Sequence, residues 1–298
     1  MNRLLIAFSM LCLVTVSGAV FAVDVNNAPA KKITVFYPGS SGMEWILSTN
    51  HGGSRGVKKG EACINCHVDE QTGNEEASVM GDEILSGQQF KDTVLETDPI
   101  KGKPGSVPVT VRAAHDGDKL YLQLSWKDTG FSSGVKLDPL SQLKMGVMLY
   151  EPGKIEYDTT GGCWATCHTD LRTMPGVTDD TKTKYLVGGD LAAGKFYDII
   201  QFRSGQKPRD GYIAKERVME GGTALIDAKG ELKDGIWTVS FIRKLEGGEG
   251  DIKLEPGKLY SFGFSLQEDY TIGRYHYVSF GYSLGLDNPG AGINVVKQ

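Results

Sequence analysis

The sequence predicts a mainly β fold, an antiparallel β-sandwich that follows a short irregular or helical N-terminal segment. From residue 107 onwards apolar residues alternate with polar ones, as in Leu120-Tyr121-Leu122-Gln123-Leu124, and a period of two is typical of strands. Turn residues such as Glu255-Pro256-Gly257 separate these stretches. Many short strands punctuated in this way favour a sandwich or a barrel.

The composition excludes several classes of protein. The chain has 298 residues, of which 40% are hydrophobic and 23% charged. These values suit one or two folded domains and argue against a disordered chain or a coiled coil. The formal net charge of −5 opposes binding to phosphates, so we expect no nucleic-acid partner.

The predicted strands begin after residue 106, where two alternating stretches flank the turn His115-Asp116-Gly117-Asp118. Within residues 23–106 the only apolar stretch is Ile33–Tyr37, and one or two helical turns are expected over Glu44–Leu47. We therefore expect residues 107–298 to form the sandwich, and residues 23–106 to be a segment too poor in apolar residues to form a core alone. The later strand candidates are Leu143–Tyr150, Asp198–Phe202, Tyr212–Val218, Ala224–Ala228, Gly235–Arg243, Leu259–Leu266 and Tyr275–Leu284.

The first 22 residues have the pattern of a secretory signal. Arg3 precedes an almost wholly apolar run, Leu4–Val20, and Val20-Phe21-Ala22 offers small residues for cleavage. Cleavage leaves residues 23–298 with no expected membrane span, whereas an uncleaved run would act as an anchor. In either case the folded part is exported, which indicates a periplasmic or other oxidising compartment.

The mature chain has four cysteines, in two pairs that are each followed at once by histidine. The first pair lies in Cys63-Ile64-Asn65-Cys66-His67, the c-type haem attachment motif. Two thiols at this spacing can add to the two vinyl groups of one porphyrin, and the adjacent imidazole can bind the iron. A covalently held macrocycle would also order a glycine-rich segment by coupling ligation to folding.

The second pair lies in Cys163-Trp164-Ala165-Thr166-Cys167-His168, with one more residue between the thiols. Beside the first motif it predicts a second covalent haem c, bound through Cys163 and Cys167 with His168 as the proximal ligand. Two alternatives stay open. Four cysteines allow disulfides in three connectivities, and the spacing also suits a zinc site.

Three histidines remain for the two distal positions, and methionine is the other candidate ligand. His51 precedes the first motif by a loop long enough to cross the ring, so we expect it on the first iron, with Met80 in reserve. His276 lies in the strand-like stretch Arg274–Ser279 and is expected on the second iron. His115, in a predicted turn, is the reserve for either haem.

Several stretches resemble a known haem-binding domain. They are Ala113–Leu122, Trp126-Lys127-Asp128, Gly161–His168 and Phe262–Leu286. The domain is that of the γ subunits of ethylbenzene, dimethylsulfide and selenate oxidoreductases, and it also occurs in cytochrome c-552-like c-type cytochromes. The segment Trp45–Gly87 resembles the N-terminal haem segment of multihaem cytochromes that contain this domain.

The resemblance has consequences for the ligands. The γ subunits hold a non-covalent b haem between a methionine and a lysine. By this resemblance His276 falls at the position of the lysine, and His168 replaces the methionine. Because both ligands and the covalent attachment differ, the redox potential of the γ subunits is not transferable.

The resemblance implies electron transfer rather than catalysis. We expect a periplasmic dihaem cytochrome with two bis-histidine irons, which exchanges electrons with a membrane quinol dehydrogenase, other cytochromes or a terminal reductase. One alternative is a haem enzyme or a gas or redox sensor with one open coordination position. Another is a γ-like electron-transfer subunit of a molybdoenzyme complex.

Overall fold

The computed structural model describes a defined part of the chain. The described residues are 23–37, 46–47, 49, 51–67, 102–134, 136–155, 158, 162, 186, 188–272 and 275–298. The N-terminal run 1–22, Met80 and the second cysteine motif, 163–168, lie outside them.

Strands dominate the described residues, which confirms the prediction of a mainly β fold. The helices whose bounds the structure gives are short: 3₁₀ turns at Val25–Asn27 and Cys63–Asn65 and an α-helical turn at Ser54–Val57. The strands are β1 (Ala30–Phe36), β2 (Ser106–His115), β3 (Lys119–Lys127), β4 (Lys144–Tyr150), β5 (Tyr197–Arg203), β6 (Arg209–Ile213), β7 (Arg217–Val218), β8 (Leu225–Lys233), β9 (Ile236–Lys244), β10 (Leu259–Gln267), β11 (Tyr277–Val278), β12 (Tyr282–Leu286) and β13 (Ile293–Lys297).

The strands form one continuous hydrogen-bonded sheet. Its order is β7-β6-β5-β4-β10-β11-β1-β2-β3-β9-β8, and β12 and β13 make a second connection between β10 and β2. Apolar side chains from most strands meet in one large core. This core includes the fully buried rings of Phe36, Phe241, Phe262 and Phe264.

The expectation of a purely antiparallel sheet is wrong at one strand. β13 runs parallel to both of its neighbours, β12 and β2. The connecting residues 287–292 return the chain beside β12: Asp287 has a left-handed φ of 48°, and the Gly292 N–H donates to Ser283 Oγ at 2.8 Å. The remaining strand pairs are antiparallel.

Two predicted strands are each divided in the structure. The stretch 212–218 contains the tight turn between β6 and β7, closed by the Ala214 N–H donating to Glu216 O at 3.0 Å. The stretch 275–284 is divided into β11 and β12 around Ser279–Gly281. At Gly281 the backbone of Gly162 packs so closely that an added Cβ would lie 3.0 Å from the Gly162 Cα.

One strand of the sheet comes from the N-terminal segment. β1 lies within residues 23–106, yet it pairs with β2 from Ala30↔Arg112 to Phe36↔Ser106 and meets β11 at Phe36↔Val278. Its apolar side chains Ile33, Val35 and Phe36 are fully buried. The segment that contains the first cysteine motif is therefore anchored in the main core through β1.

Candidate haem site

The first cysteine motif forms one tight turn. Residues Cys63–Asn65 are a 3₁₀ turn, and the N–H groups of Cys66 and His67 both donate to Cys63 O, at 3.1 and 3.0 Å. This turn brings both thiols and the imidazole to one short stretch of backbone. Cys63 is buried and Cys66 is exposed, and no disulfide joins them. Burial raises the pKa of the Cys63 thiol to about 11, so that thiol is neutral at physiological pH.

The rings of His51 and His67 both line the cleft beside this turn. Their ring centres are 6.4 Å apart and the ring planes differ by only 6°. The separation is too large for face-to-face stacking. It matches two imidazoles bound to one metal from opposite sides: a metal–nitrogen bond of about 2 Å on each side, together with the distance from each nitrogen to its ring centre, gives about 6 Å.

A hydrogen bond orients the His51 ring. His51 Nδ1 lies 2.9 Å from the backbone carbonyl of Ile46. Because a carbonyl oxygen only accepts, Nδ1 is the protonated nitrogen, and the lone pair of the neutral ring is on Nε2. In metal-binding histidines, a hydrogen bond from the ring nitrogen that does not bind the metal commonly fixes both the tautomer and the orientation of the ring.

The backbone beside His51 is shaped to accept its ring. The Ser54 N–H donates to His51 O at 3.0 Å, which starts the helical turn Ser54–Val57 directly after the histidine. An added Cβ on Gly53 would lie 3.0 Å from His51 Cε1, closer than ordinary contact, whereas one on Gly52 would meet nothing within 4 Å. Gly53 therefore leaves the space that the ring occupies.

Phe280 forms the wall that joins this cleft to the sheet. Its ring centre lies 5.6 Å from that of His67 and 4.7 Å from that of Phe36 on β1. The other walls are mainly apolar, with one acidic residue; they comprise Ile46, Gly53, Gly56, Val57, Glu61 and Ala62. A cleft of this character suits a flat, apolar macrocycle with an imidazole on each face, so the residues fit a haem.

Two alternatives to haem at the first motif, a Cys63–Cys66 disulfide and a zinc site, fit less well, whereas disulfides to Cys163 or Cys167 lie outside the described residues. A disulfide between Cys63 and Cys66 is not formed. Zinc needs about four donor atoms within one coordination sphere. Within the described residues, the thiols and imidazoles of this cleft do not gather into such a group.

His276 lies in a second, more polar cleft on another part of the sheet. Its walls include the cationic side chains of Lys144, Arg203, Arg209 and Arg217. Burial, and after it the neighbouring Arg209, lowers the pKa of Arg203. The arginines therefore form a concentration of positive charge that would bind carboxylates well.

The chain that leads to the second cysteine motif packs close to the first cleft. Gly162, which directly precedes Cys163, lies against Gly281: an added Cβ on Gly162 would be 2.7 Å from both the N and the Cα of Gly281. Gly281 follows Phe280, which contacts His67. Gly162, just before the second motif, and His67 of the first motif thus both lie beside the segment Phe280-Gly281.

Known proteins with related sequences show which family the chain belongs to. Residues 89–225 match the family described as ethylbenzene dehydrogenase. The chain is 49% identical over 277 residues to cytochrome c-552 of Stutzerimonas stutzeri, which covers 92% of this chain and 91% of that protein. It is 33% identical over 278 residues to cytochrome c-551 of Rhodocyclus tenuis, which covers 93% of this chain and 100% of that protein. The chain belongs to this family of c-type cytochromes.

Family membership confirms the resemblance found in the sequence, and with it covalently bound haem c and a need for redox partners. Among solved structures, a family 9 carbohydrate-binding module from Caldicellulosiruptor kristjanssonii aligns with 64% of the cytochrome and 77% of its own chain, at 13% identity and a TM-score of 0.32. These values are too low to support an argument. No helix among the described residues of the cytochrome has the length and hydropathy needed to cross a membrane.

His115, the reserve ligand, lies elsewhere in the cytochrome. It ends β2 rather than standing in a turn, and its side chain is buried. Its Nε2 lies 3.0 Å from Asp287 Oδ2, and its backbone carbonyl accepts from the Gln298 N–H at 2.9 Å. These contacts tie the C-terminal strand to β2 and are typical of a structural histidine.

The groups that position the rings of His51 and His67 were not predictable from sequence motifs. Ile46 and Gly53 act through a backbone carbonyl and a missing side chain, which no motif reveals. The contact of Phe280 with His67 depends on tertiary packing, which no sequence motif reveals. The remaining expected site residues, Cys163, Cys167, His168 and Met80, lie outside the described residues.

Proposed function

We propose that this cytochrome is a periplasmic dihaem electron carrier whose two irons each bind two histidines. The opposed rings of His51 and His67 are the observation on which the proposal mainly rests. The haem supplies one-electron chemistry at its iron. The protein would hold it: Cys63 and Cys66 would bind the porphyrin, and the imidazoles of His51 and His67 would bind the iron.

Two rigidly held axial ligands suit electron transfer better than catalysis. An iron with protein ligands on both faces has no position for a substrate, and its coordination changes little when the charge changes. His51 is fixed by Ile46 and Gly53, and His67 by the motif turn and Phe280. This preorganisation supports the carrier over a sensor or an enzyme with an open coordination site.

The second haem is proposed to attach to Cys163 and Cys167, with His168 and His276 as its ligands. His276 lines a cleft rich in arginine, and arginines such as Arg203 can pair with the carboxylates of haem propionates. The contact of Gly162 with Gly281 supports a second haem close to the first. Electrons would then enter at one haem and leave at the other, towards partners such as a membrane quinol dehydrogenase or a terminal reductase.

The test is a haem count on the mature protein together with its spectrum. We expect the mass of two haems per chain, retained after denaturation, and wholly low-spin spectra that carbon monoxide does not change after reduction. The double variant Cys163→Ala with Cys167→Ala should keep one haem and the features of the first site. One haem in the parent protein, or ready carbon monoxide binding to it, would overturn the dihaem bis-histidine proposal.

A further inference from the structure

Three aspartates from separate segments converge away from the haem clefts. Asp198 lies on β5, Asp210 on β6 and Asp251 in the loop between β9 and β10. One carboxylate oxygen from each lies within 4.8 Å of the others. Asp198 and Asp251 are at least nine-tenths buried, with exposed fractions of 1% and 8%.

The two oxygens of each carboxylate have different surroundings. Oδ2 is held in every case by hydrogen-bond donors, whereas Oδ1 is buried and has no donor among the described residues. The main donors to Oδ2 are Arg243 Nη1 at 2.6 Å and Ile252 N at 2.8 Å for Asp198, Leu225 N at 2.7 Å for Asp210, and Gly248 N at 2.7 Å and Thr223 N at 2.9 Å for Asp251.

An orphaned buried oxygen is costly, and three close together are unusual. The network fixes each carboxylate by one oxygen and leaves the other without a donor, and the Oδ1 atoms of Asp210 and Asp251 both lie beside the space that an added Cβ on Gly222 would fill. This is the arrangement by which outer-shell hydrogen bonds orient the ligands of a metal ion.

The charges at this site are also unbalanced. Three carboxylates face one guanidinium, that of the fully buried Arg243, which leaves two negative charges when all three are ionised. Burial, and after it the neighbouring Asp251 and Asp198, raises the pKa of Asp210 to about 6. Burial likewise raises the pKa of Asp198. A bound dication would offset this repulsion.

We propose that Asp198, Asp210 and Asp251 bind one divalent metal ion, with calcium preferred, through their Oδ1 atoms. Calcium takes six to eight oxygen ligands at about 2.3–2.6 Å, commonly carboxylates supplemented by carbonyls and water. Oxygens on one such ion lie within about 5 Å of each other, as these do. The absence of nitrogen and sulfur donors from the group disfavours zinc and copper.

Two glycines make room for the carboxylates. An added Cβ on Gly222 would lie 2.2 Å from Asp210 Oδ1 and 2.7 Å from Asp251 Oδ1. One on Gly247 would lie 2.2 Å from the Asp251 Cβ. The ion would thus join β5 and β6 to the loops before β8 and after β9, and stabilise that side of the sheet.

The first test measures binding to the haem-loaded mature protein after treatment with a chelator. Titration calorimetry with calcium chloride should show one ion per chain, and the melting temperature should rise with calcium relative to sodium chloride of equal ionic strength. Absence of both effects at millimolar calcium would overturn the proposal. Parallel titration with magnesium determines the preference: tighter binding of magnesium would overturn the assignment to calcium.

Two variants assign the site. Asp210→Asn keeps an acceptor for the Leu225 N–H but replaces the Oδ1 ligand, and Gly222→Ala blocks the shared space without changing any charge. Each should weaken calcium binding by about tenfold or more, while Asp234→Asn, at an exposed hairpin turn, should bind like the parent. Without calcium, Asp210→Asn should melt no lower than the parent, because a repulsive charge is gone. Unchanged affinity in both site variants would place the ion elsewhere.

Discussion

The ring of Phe280 packs against the ring of His67, with 5.6 Å between their centres. Phe280 lies in the buried segment between β11 and β12, and His67 lies in the cysteine motif, so this contact joins the haem-binding turn to the core. On its other side Phe280 meets Phe36, at 4.7 Å. The first haem site is therefore supported by the β domain rather than by its own short segment alone.

Removing this ring should destabilise the protein and disturb the first haem. Phe280 is 2% exposed, and Phe→Ala substitutions in cores cost about 3–5 kcal/mol. We expect Phe280→Ala to lower the free energy of unfolding by that amount, with Phe280→Leu intermediate. Urea unfolding monitored by circular dichroism and by haem absorbance measures both effects. A loss below about 1 kcal/mol, outside the range for buried rings, would contradict the packing role.

His51→Ala should open one coordination position on the first iron. The expected result is a high-spin signal and carbon monoxide binding that account for one haem, because only one axial ligand is lost. Electron paramagnetic resonance and optical titration of the reduced protein measure the change. His115→Gln is the matched control, since His115 pairs with Asp287 away from the cleft; a spectral change there would show that the ligand is misassigned.

The strands were largely predictable from sequence, because alternating side chains such as those of β3 and β9 report directly which face is buried. The positions at which these strands are interrupted were not predictable from sequence. The interruption of 275–284 lies where Gly162, which is distant in sequence, packs against Gly281. β13 follows a glycine-rich connection that has no periodic pattern. The cysteine motif was local and therefore visible. The three clustered aspartates are dispersed at 198, 210 and 251, so only folding brings them together.

Gly53 and Gly52 make a matched pair for testing the fit of His51. Gly53→Val adds a branched side chain where even a Cβ would lie 3.0 Å from the ring, so the imidazole must shift and its bond to iron weaken. Gly52→Ala adds a methyl group with nothing within 4 Å. We expect carbon monoxide binding or a shifted spectrum in Gly53→Val alone. Equal spectra for both variants would show that the ring position tolerates displacement.

Lys103 should make stability rise with pH in alkaline solution. Its Nζ lies 4.0 Å from the ring centre of Tyr277, and burial lowers its pKa to about 8, opposed in part by Glu268. Between pH 8 and the unfolded value of about 10.4, the unfolded chain binds more protons, so the free energy of unfolding increases with pH by up to about 1.4 kcal/mol per unit.

Lys103→Met removes this titration, and the comparison isolates it from other groups. The difference in unfolding free energy between parent and variant should shift in favour of the parent as the pH rises from 8 to 10. Urea unfolding at several pH values measures the difference. A pH-independent difference would mean that Lys103 keeps its proton throughout this range in the folded protein.

The contact between Gly162 and Gly281 should control the second haem. Gly162 has a φ of 63° and would place a Cβ 2.7 Å from the Gly281 backbone. Gly162→Ala therefore combines a strained backbone with a clash, and the clash must displace the chain that enters at Cys163. Gly153→Ala is the control for strain alone, because its φ is 75° and an added Cβ meets nothing within 4 Å.

We expect Gly162→Ala to lose or alter one haem, as measured by mass and by spectrum, while the first haem is retained. Gly153→Ala should lower the melting temperature without changing either haem. If both variants keep two unaltered haems, the attachment of Cys163 does not depend on this contact, and the case for two closely spaced haems loses its main support.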